Sequence, residues 1–164
     1  GSLAGAEATG LAESMARHWG RTAEASGADA QDPVWILEKF PEHAFRMESL
    51  RDLCERGLGP NRAAFVHIRR RGLAVARSVA RCAAARGAWF GARDEWKWRQ
   101  LASLLPQSFQ VSETFSALLE APSEQKHFAR GLVEWALSVQ AAERGLEAVG
   151  TKGLEIRYED LLLD

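Results

Sequence analysis

Apolar residues along this chain alternate between two habits, long stretches at helical spacing and short unbroken runs between them. Leu11, Met15 and Trp19 stand four apart in an Ala-rich stretch, which predicts an amphipathic helix from Leu3 to about Gly27. Ser26 to Pro33 follows as a loop of small and acidic residues. Pro33-Val34-Trp35-Ile36-Leu37-Glu38 is too short for a helix and predicts a buried strand. Pro41 opens the next helix, whose Phe45, Leu50, Leu53 and Cys54 share a face until Gly57 stops it. After the turn at Gly59-Pro60-Asn61, Ala63-Ala64-Phe65-Val66-His67-Ile68 predicts a second strand.

Three arginines and Gly72 break that strand, and Leu73 to about Arg86 reads as a helix ended by Gly87. Arg93 to Leu105 predicts another, stopped at Pro106, and a short one follows the N-cap candidate Ser112. The clearest periodicity runs from Glu124 to Val149 behind a Ser123 cap. There Phe128, Leu132, Trp135, Val139, Ala142, Leu146 and Val149 step by four and three, the pattern of a core-facing stripe. Leu154-Glu155-Ile156-Arg157-Tyr158 predicts a third strand, and Asp164 falls in the next helical turn. Strands alternating with helices of this length imply βαβ units and a parallel sheet. Ligands of such sheets sit beyond the carboxyl ends of the strands. The residues leaving strands are therefore the candidates for chemistry: Glu38-Lys39, Arg69-Arg70-Arg71 and Tyr158-Glu159-Asp160.

Composition is that of one globular domain, residues 3–164, with Gly1-Ser2 read as the remnant of a cleaved tag. Hydrophobic residues make up 46% and charged residues 26%, which excludes a disordered chain, and no apolar run is long enough to cross a bilayer. Cys54 and Cys82 supply neither a metal spacing nor a disulfide framework, which points to a reducing, cytoplasmic setting. His18, His43, His67 and His127 form no ligand pair, so no metal is expected.

Charge changes the picture more. The net value of −1 conceals ten basic residues between Arg62 and Arg99 against Asp94 and Glu95, a local +8, while the remainder holds 11 basic and 20 acidic residues. Of the 21 basic residues 17 are arginine, which GC-rich bacterial coding explains in bulk, although arginine also suits bidentate contacts to phosphate. A nucleic-acid partner would need a basic domain overall, which the remaining −9 opposes.

Within that segment, Phe65-Val66-His67-Ile68-Arg69-Arg70-Arg71-Gly72 leads straight into Leu73-Ala74-Val75-Ala76-Arg77-Ser78. A strand delivers arginines, a glycine turns the backbone, and a helix begins, bringing guanidinium groups and free amides to one point that suits a phosphate. The plainer reading is a solvated basic helix start. Arg70, Gly72, Val75 and Ser78 resemble the 3′-phosphate-binding segment of sulfotransferases, although Arg71 and Ala74 replace its usual acids and Leu73 its second arginine. Trp35 to His43 resembles that family's Glu-Lys-Thr-Pro segment with Phe40 in place of threonine, and Arg157-Tyr158-Glu159-Asp160-Leu161 resembles its Tyr-Glu-Asp-Leu segment.

The resemblance implies a P-loop NTPase-like three-layer α/β fold, a central parallel sheet flanked by helices. It implies sulfuryl transfer from 3′-phosphoadenylyl sulfate to a hydroxyl or amine of a small-molecule or carbohydrate acceptor, without a metal. Arg70 and Ser78 would hold the 3′-phosphate and Tyr158 would lie near the adenine. Lys39 matches the family's lysine, and Glu38 and His43 are the candidate bases, His43 being out of register with the family's histidine. The family's upstream Gly/Ser/Thr-rich loop with lysine has no counterpart, since no lysine precedes Lys39. The expectation is an incomplete representation of a larger domain at the N-terminus and at the C-terminus. A nucleotide kinase-like phosphotransferase and a non-catalytic nucleotide-binding relative remain the alternatives. His67, inside a strand, reads as a hydrogen-bonded core histidine. Trp89, Phe90, Trp96 and Trp98 read as core packing or as the lining of an apolar acceptor site.

Overall fold

A computed structural model describes residues 5–25, 36–89, 93–106, 121–150 and 153–162, together with Glu113 and Ala117. The fold is mixed α/β and mostly helical. Helix α1 spans Gly5–Ala25, a 3-10 turn Pro41–Phe45, α2 Met47–Leu58, β1 Phe65–Arg69, α3 Gly72–Arg86 and α4 Asp94–Ala102. Helix α5 spans Ser123–Val149, β2 Gly153–Arg157 and a last 3-10 turn Asp160–Leu162. The two strands form one sheet, and their pairing positions rise together (His67 beside Glu155, Arg69 beside Tyr158), so they run parallel. The short helix expected after Ser112 lies almost wholly outside the described residues.

The chain divides into two compact units, Gly1–His67 with Ala142–Glu155, and Ile68–Ala141 with Ile156–Asp164. In the first, α1 packs on α2, and Met47 of α2 is buried with Ala142 and Val149 of α5 beneath Ala44, Phe65 and Leu146. Gly145 lets α5 approach α2 closely, since a Cβ there would stand 2.9 Å from Met47 Cβ. His67 Nδ1 and Glu155 Oε2 lie 3.1 Å apart, so His67 is the hydrogen-bonded strand histidine that its position implied.

In the second unit, Ala76, Val79, Ala80 and Ala83 are the buried positions of α3. A Cβ on Gly131 of α5 would stand 3.0 Å from both Ala76 Cα and Val79 Cβ, so two small-residue faces meet backbone to backbone. Arg130, only 3% exposed, donates two hydrogen bonds to Glu95 at 2.8 and 3.1 Å and lies 5.1 Å over the Trp98 ring. Those hydrogen bonds hold the Glu95 carboxyl below the ordinary glutamate range. Lys97 pairs with Glu134 at 2.7 Å and lies 4.7 Å from the Trp89 ring centre. Of the aromatic cluster, Trp98 is core, Trp96 is exposed, and Phe90 lies outside the described residues.

Three expectations change. Residues 36–38 of the expected first strand form no strand, and Leu37 is 92% exposed, because an apolar run becomes a strand only where another strand accepts its hydrogen bonds. Residues 33–35 of that run lie outside the described residues. Pro41 opens a 3-10 turn, α2 begins at Met47, and Gly57 lies inside it; the stop comes at Gly59, whose φ of 90° suits glycine alone. Helix α4 ends at Ala102, three residues before Leu105, as its last turn tightens: the Leu104 and Leu105 amides reach back only to Leu101 and Ala102.

Substituting Gly131→Val forces two branches into the α3–α5 contact. The expected result is a loss of about 2 kcal/mol, the scale of overpacking a filled core, read as a lower urea midpoint at unchanged m-value.

Candidate active site at the strand exits

The polar groups of interest gather where β1 ends. Arg69 is the last strand residue, and its carbonyl accepts the Tyr158 amide at 2.8 Å, one step past the end of β2. This bond carries the ladder to the exit and lays Tyr158 alongside the next residue of the neighbouring segment. The Arg70 guanidinium stands 5.0 Å from the centre of the Tyr158 ring, a cation–π pairing that holds the cation without neutralising it. Arg71 takes an extended conformation (φ −57°, ψ 129°), and α3 starts at Gly72. The Arg71 carbonyl accepts the Ala74 and Val75 amides at 3.0 and 3.1 Å, which leaves the Gly72 and Leu73 amides as the helix's opening donors.

Two further side chains complete this corner, Glu159, already expected at a strand exit, and Trp135. Glu159 accepts the Arg71 amide at 2.9 Å, and Trp135 of α5 donates its indole N–H to the Arg70 carbonyl at 2.8 Å. The indole also packs closely against Gly72, where a Cβ would come within 2.7 Å of Trp135 Cε3. Trp135 was legible only as a member of the α5 stripe. A partner 65 positions away leaves no local trace. Glu159 was visible as a residue leaving a strand, but its amide partner depended on the strand register.

The backbone amide of Arg71 pulls the Glu159 carboxyl below the ordinary glutamate range, and the charges of Arg71 and Arg157 add to the effect. Ser78 lies half-buried in the second turn of α3, seven residues after Arg71 and so on the same helix face. Arg77, Arg81, Arg86, Arg93 and Arg99 are all exposed, the solvated helix faces of the cationic segment.

The other expected site residues belong to the first unit. Lys39 is exposed within residues 36–40, which have no regular structure, so it does not stand at a strand's carboxyl end. Glu38 accepts the Trp19 indole N–H at 2.8 Å and lies 3.9 Å from His43 Nε2, tying α1 to the first 3-10 turn. The His43 ring meets Phe40 edge-on at 5.5 Å. Burial, aided by the charges of Glu38 and Glu55, pushes the nearby Cys54 thiol up, which makes it a poor nucleophile. Thus Arg70 meets Tyr158, and Glu38 meets His43.

Among the described residues no group of three His, Cys, Asp or Glu side chains is arranged to hold a metal, and no helix is long and apolar enough to cross a membrane. A shallow groove of about 360 Å³ beside α5, lined by Leu105, Leu132, Val133, Ala136, Leu137 and Gln140, carries no charged group with which to act on a phosphate. No protein-family model matches this chain, and no curated protein or solved structure matches it either.

The Glu159 bond has a definite pH sign. A depressed carboxyl stabilises the fold above its unfolded pKa, and that contribution disappears as pH falls through the lower folded value. In a carboxyl-detected NMR titration Glu159 is expected to titrate below an unperturbed glutamate, with the Arg71 amide resonance following the same curve. Glu159→Gln is expected to abolish that acid-side change at Arg71.

Proposed function

We propose that this chain binds 3′-phosphoadenylyl sulfate and acts as a sulfotransferase, within a P-loop-like three-layer α/β fold of which β1 and β2 are two central strands. The observation that carries the reading is the Arg70 guanidinium, held over Tyr158 at the exit of a parallel strand with α3 starting two residues on. A strand exit of this kind is where α/β sheets take their ligands. The partner chemistry is a compact phosphate dianion. Arg70 offers a planar donor fork, α3 its opening amides, and Ser78 a hydroxyl further along the same helix face. In this reading the Tyr158 ring, which carries Arg70 on one face, would pack with its other face against an apolar, planar group such as adenine.

In the transfer, the acceptor hydroxyl or amine attacks sulfur and the bond from sulfur to the bridging phosphate oxygen breaks. The acceptor proton passes to a base, and adenosine 3′,5′-bisphosphate leaves. Arg70 and Ser78 contribute by fixing the far end of the donor, so that binding energy positions the sulfuryl group. Lys39, Glu38 and His43 remain the residues that the resemblance implies for the developing charge and the acceptor proton, and they belong to the other compact unit.

A second reading, nucleotide binding without transfer, has an observation of its own. Glu38 is engaged by Trp19 and lies beside His43, which favours a structural tie over a base. Transfer of labelled sulfate to a panel of hydroxyl and amine acceptors separates the two.

Binding comes first. Adenosine 3′,5′-bisphosphate at a hundredfold excess over its Kd is expected to add about 2.7 kcal/mol and raise the melting temperature by roughly 5–10 °C. Arg70→Ala is expected to abolish the shift. An unmoved melting temperature with the unaltered chain at millimolar nucleotide would reject both readings.

A further inference from the structure

We propose that Trp135 is the positioning residue of the phosphate-binding turn, a role that rests on the nucleotide reading above. The peptide group joining Arg70 to Arg71 is held at both of its polar atoms by side chains. Its carbonyl accepts the Trp135 indole N–H at 2.8 Å, and its N–H donates to Glu159 at 2.9 Å. A peptide group is planar, so two bonds at opposite edges fix its orientation, and with it ψ of Arg70 and φ of Arg71. Those two torsions set where the Arg70 side chain leaves the backbone and where α3 begins. Without the indole, the Arg70 carbonyl would bond to water, and the peptide could rock about the Glu159 contact.

Packing supplies the second constraint. The indole rests against Gly72, where a Cβ would stand 2.7–3.0 Å from three of its ring atoms, so the ring sets the height of the turn as well as its tilt. The mount is rigid, since Trp135 projects from the middle of the 27-residue α5. The donor is also neutral. It satisfies a carbonyl at the strand exit without placing a second charge beside Arg70, and the guanidinium keeps its full attraction for an anion. Glu159, the other holder of the same peptide, is an anion, and its carboxylate takes the Arg71 amide. The opening therefore left to an incoming phosphate lies on the side of Arg70, Gly72 and Leu73.

Three proteins test this: the unaltered chain, Trp135→Phe, which keeps an aromatic ring and loses the N–H, and Val133→Ala, which trims α5 in the apolar groove away from the turn. Each is assayed for adenosine 3′,5′-bisphosphate affinity by calorimetry, for hydrogen exchange at the Arg71 amide, and for its urea midpoint. Trp135→Phe is expected to bind the nucleotide roughly three- to tenfold more weakly, the range of one hydrogen bond, and to exchange the Arg71 amide faster. Val133→Ala is expected to retain the affinity of the unaltered chain whatever its urea midpoint. Affinity unchanged in Trp135→Phe overturns the positioning role while leaving the nucleotide reading intact. Equal losses in Trp135→Phe and Val133→Ala overturn it as well, because the effect would then be one of general stability. An unaltered chain that ignores the nucleotide removes the site and this role together.

Discussion

A backbone amide at the end of a parallel strand needs an acceptor, and where β1 ends the arrangement of the whole corner follows from how that need is met. The ladder continues one step beyond the strands through Tyr158 to Arg69, and the next amide, that of Arg71, takes the Glu159 carboxylate. Once those two bonds are made, Tyr158 lies alongside Arg70, and the chain must turn at Gly72 into α3. The cation–π pair and the open amides of the helix follow from register. Shifting β2 by one residue would turn its side chains to the opposite face and separate all of them.

Much of this corner was legible from the sequence because its signals are local. An apolar run, three arginines, a glycine and an Ala-rich helical stretch give β1, the turn and α3 within two residues of where they stand. The long stripe from Phe128 to Val149 likewise gives α5, although its deepest positions include Ala129, Gly131, Ala142 and Gly145, where small size rather than apolar bulk permits close approach. The failures are non-local. Ile36 and Leu37 look like a strand, but strand formation depends on a neighbour that the run itself does not encode. Trp135 looked like core because its stripe is core, and only the fold reveals that its N–H has a carbonyl to serve. That the Glu38 carboxylate accepts the Trp19 indole N–H is likewise a contact that neither segment encodes alone.

The cationic segment divides along the same line. Arg77, Arg81, Arg86, Arg93 and Arg99 point into solvent, where their charges are screened and add little to stability. Arg70 differs through its surroundings rather than its charge, being braced by an aromatic ring and anchored through a pinned peptide. Burial does not track charge either. Arg130, the most buried arginine, gives both terminal nitrogens to Glu95 and lies over Trp98, while its Nε is buried without a hydrogen-bond partner among the described residues. A count of basic residues therefore overstates the binding capacity of this chain, and the geometry of one of them carries the functional argument.

The contact between Gly72 and Trp135 has an evolutionary consequence. A glycine fitted under an indole leaves neither position free to drift alone: any side chain at 72 collides with the ring, and a smaller residue at 135 leaves a gap over the turn and a carbonyl without its donor. The two sites constitute one heritable unit although they are far apart in the chain. Divergent copies of this sequence would cross from one solution to another only by paired change, and the passage between them runs through intermediates with a weakened turn.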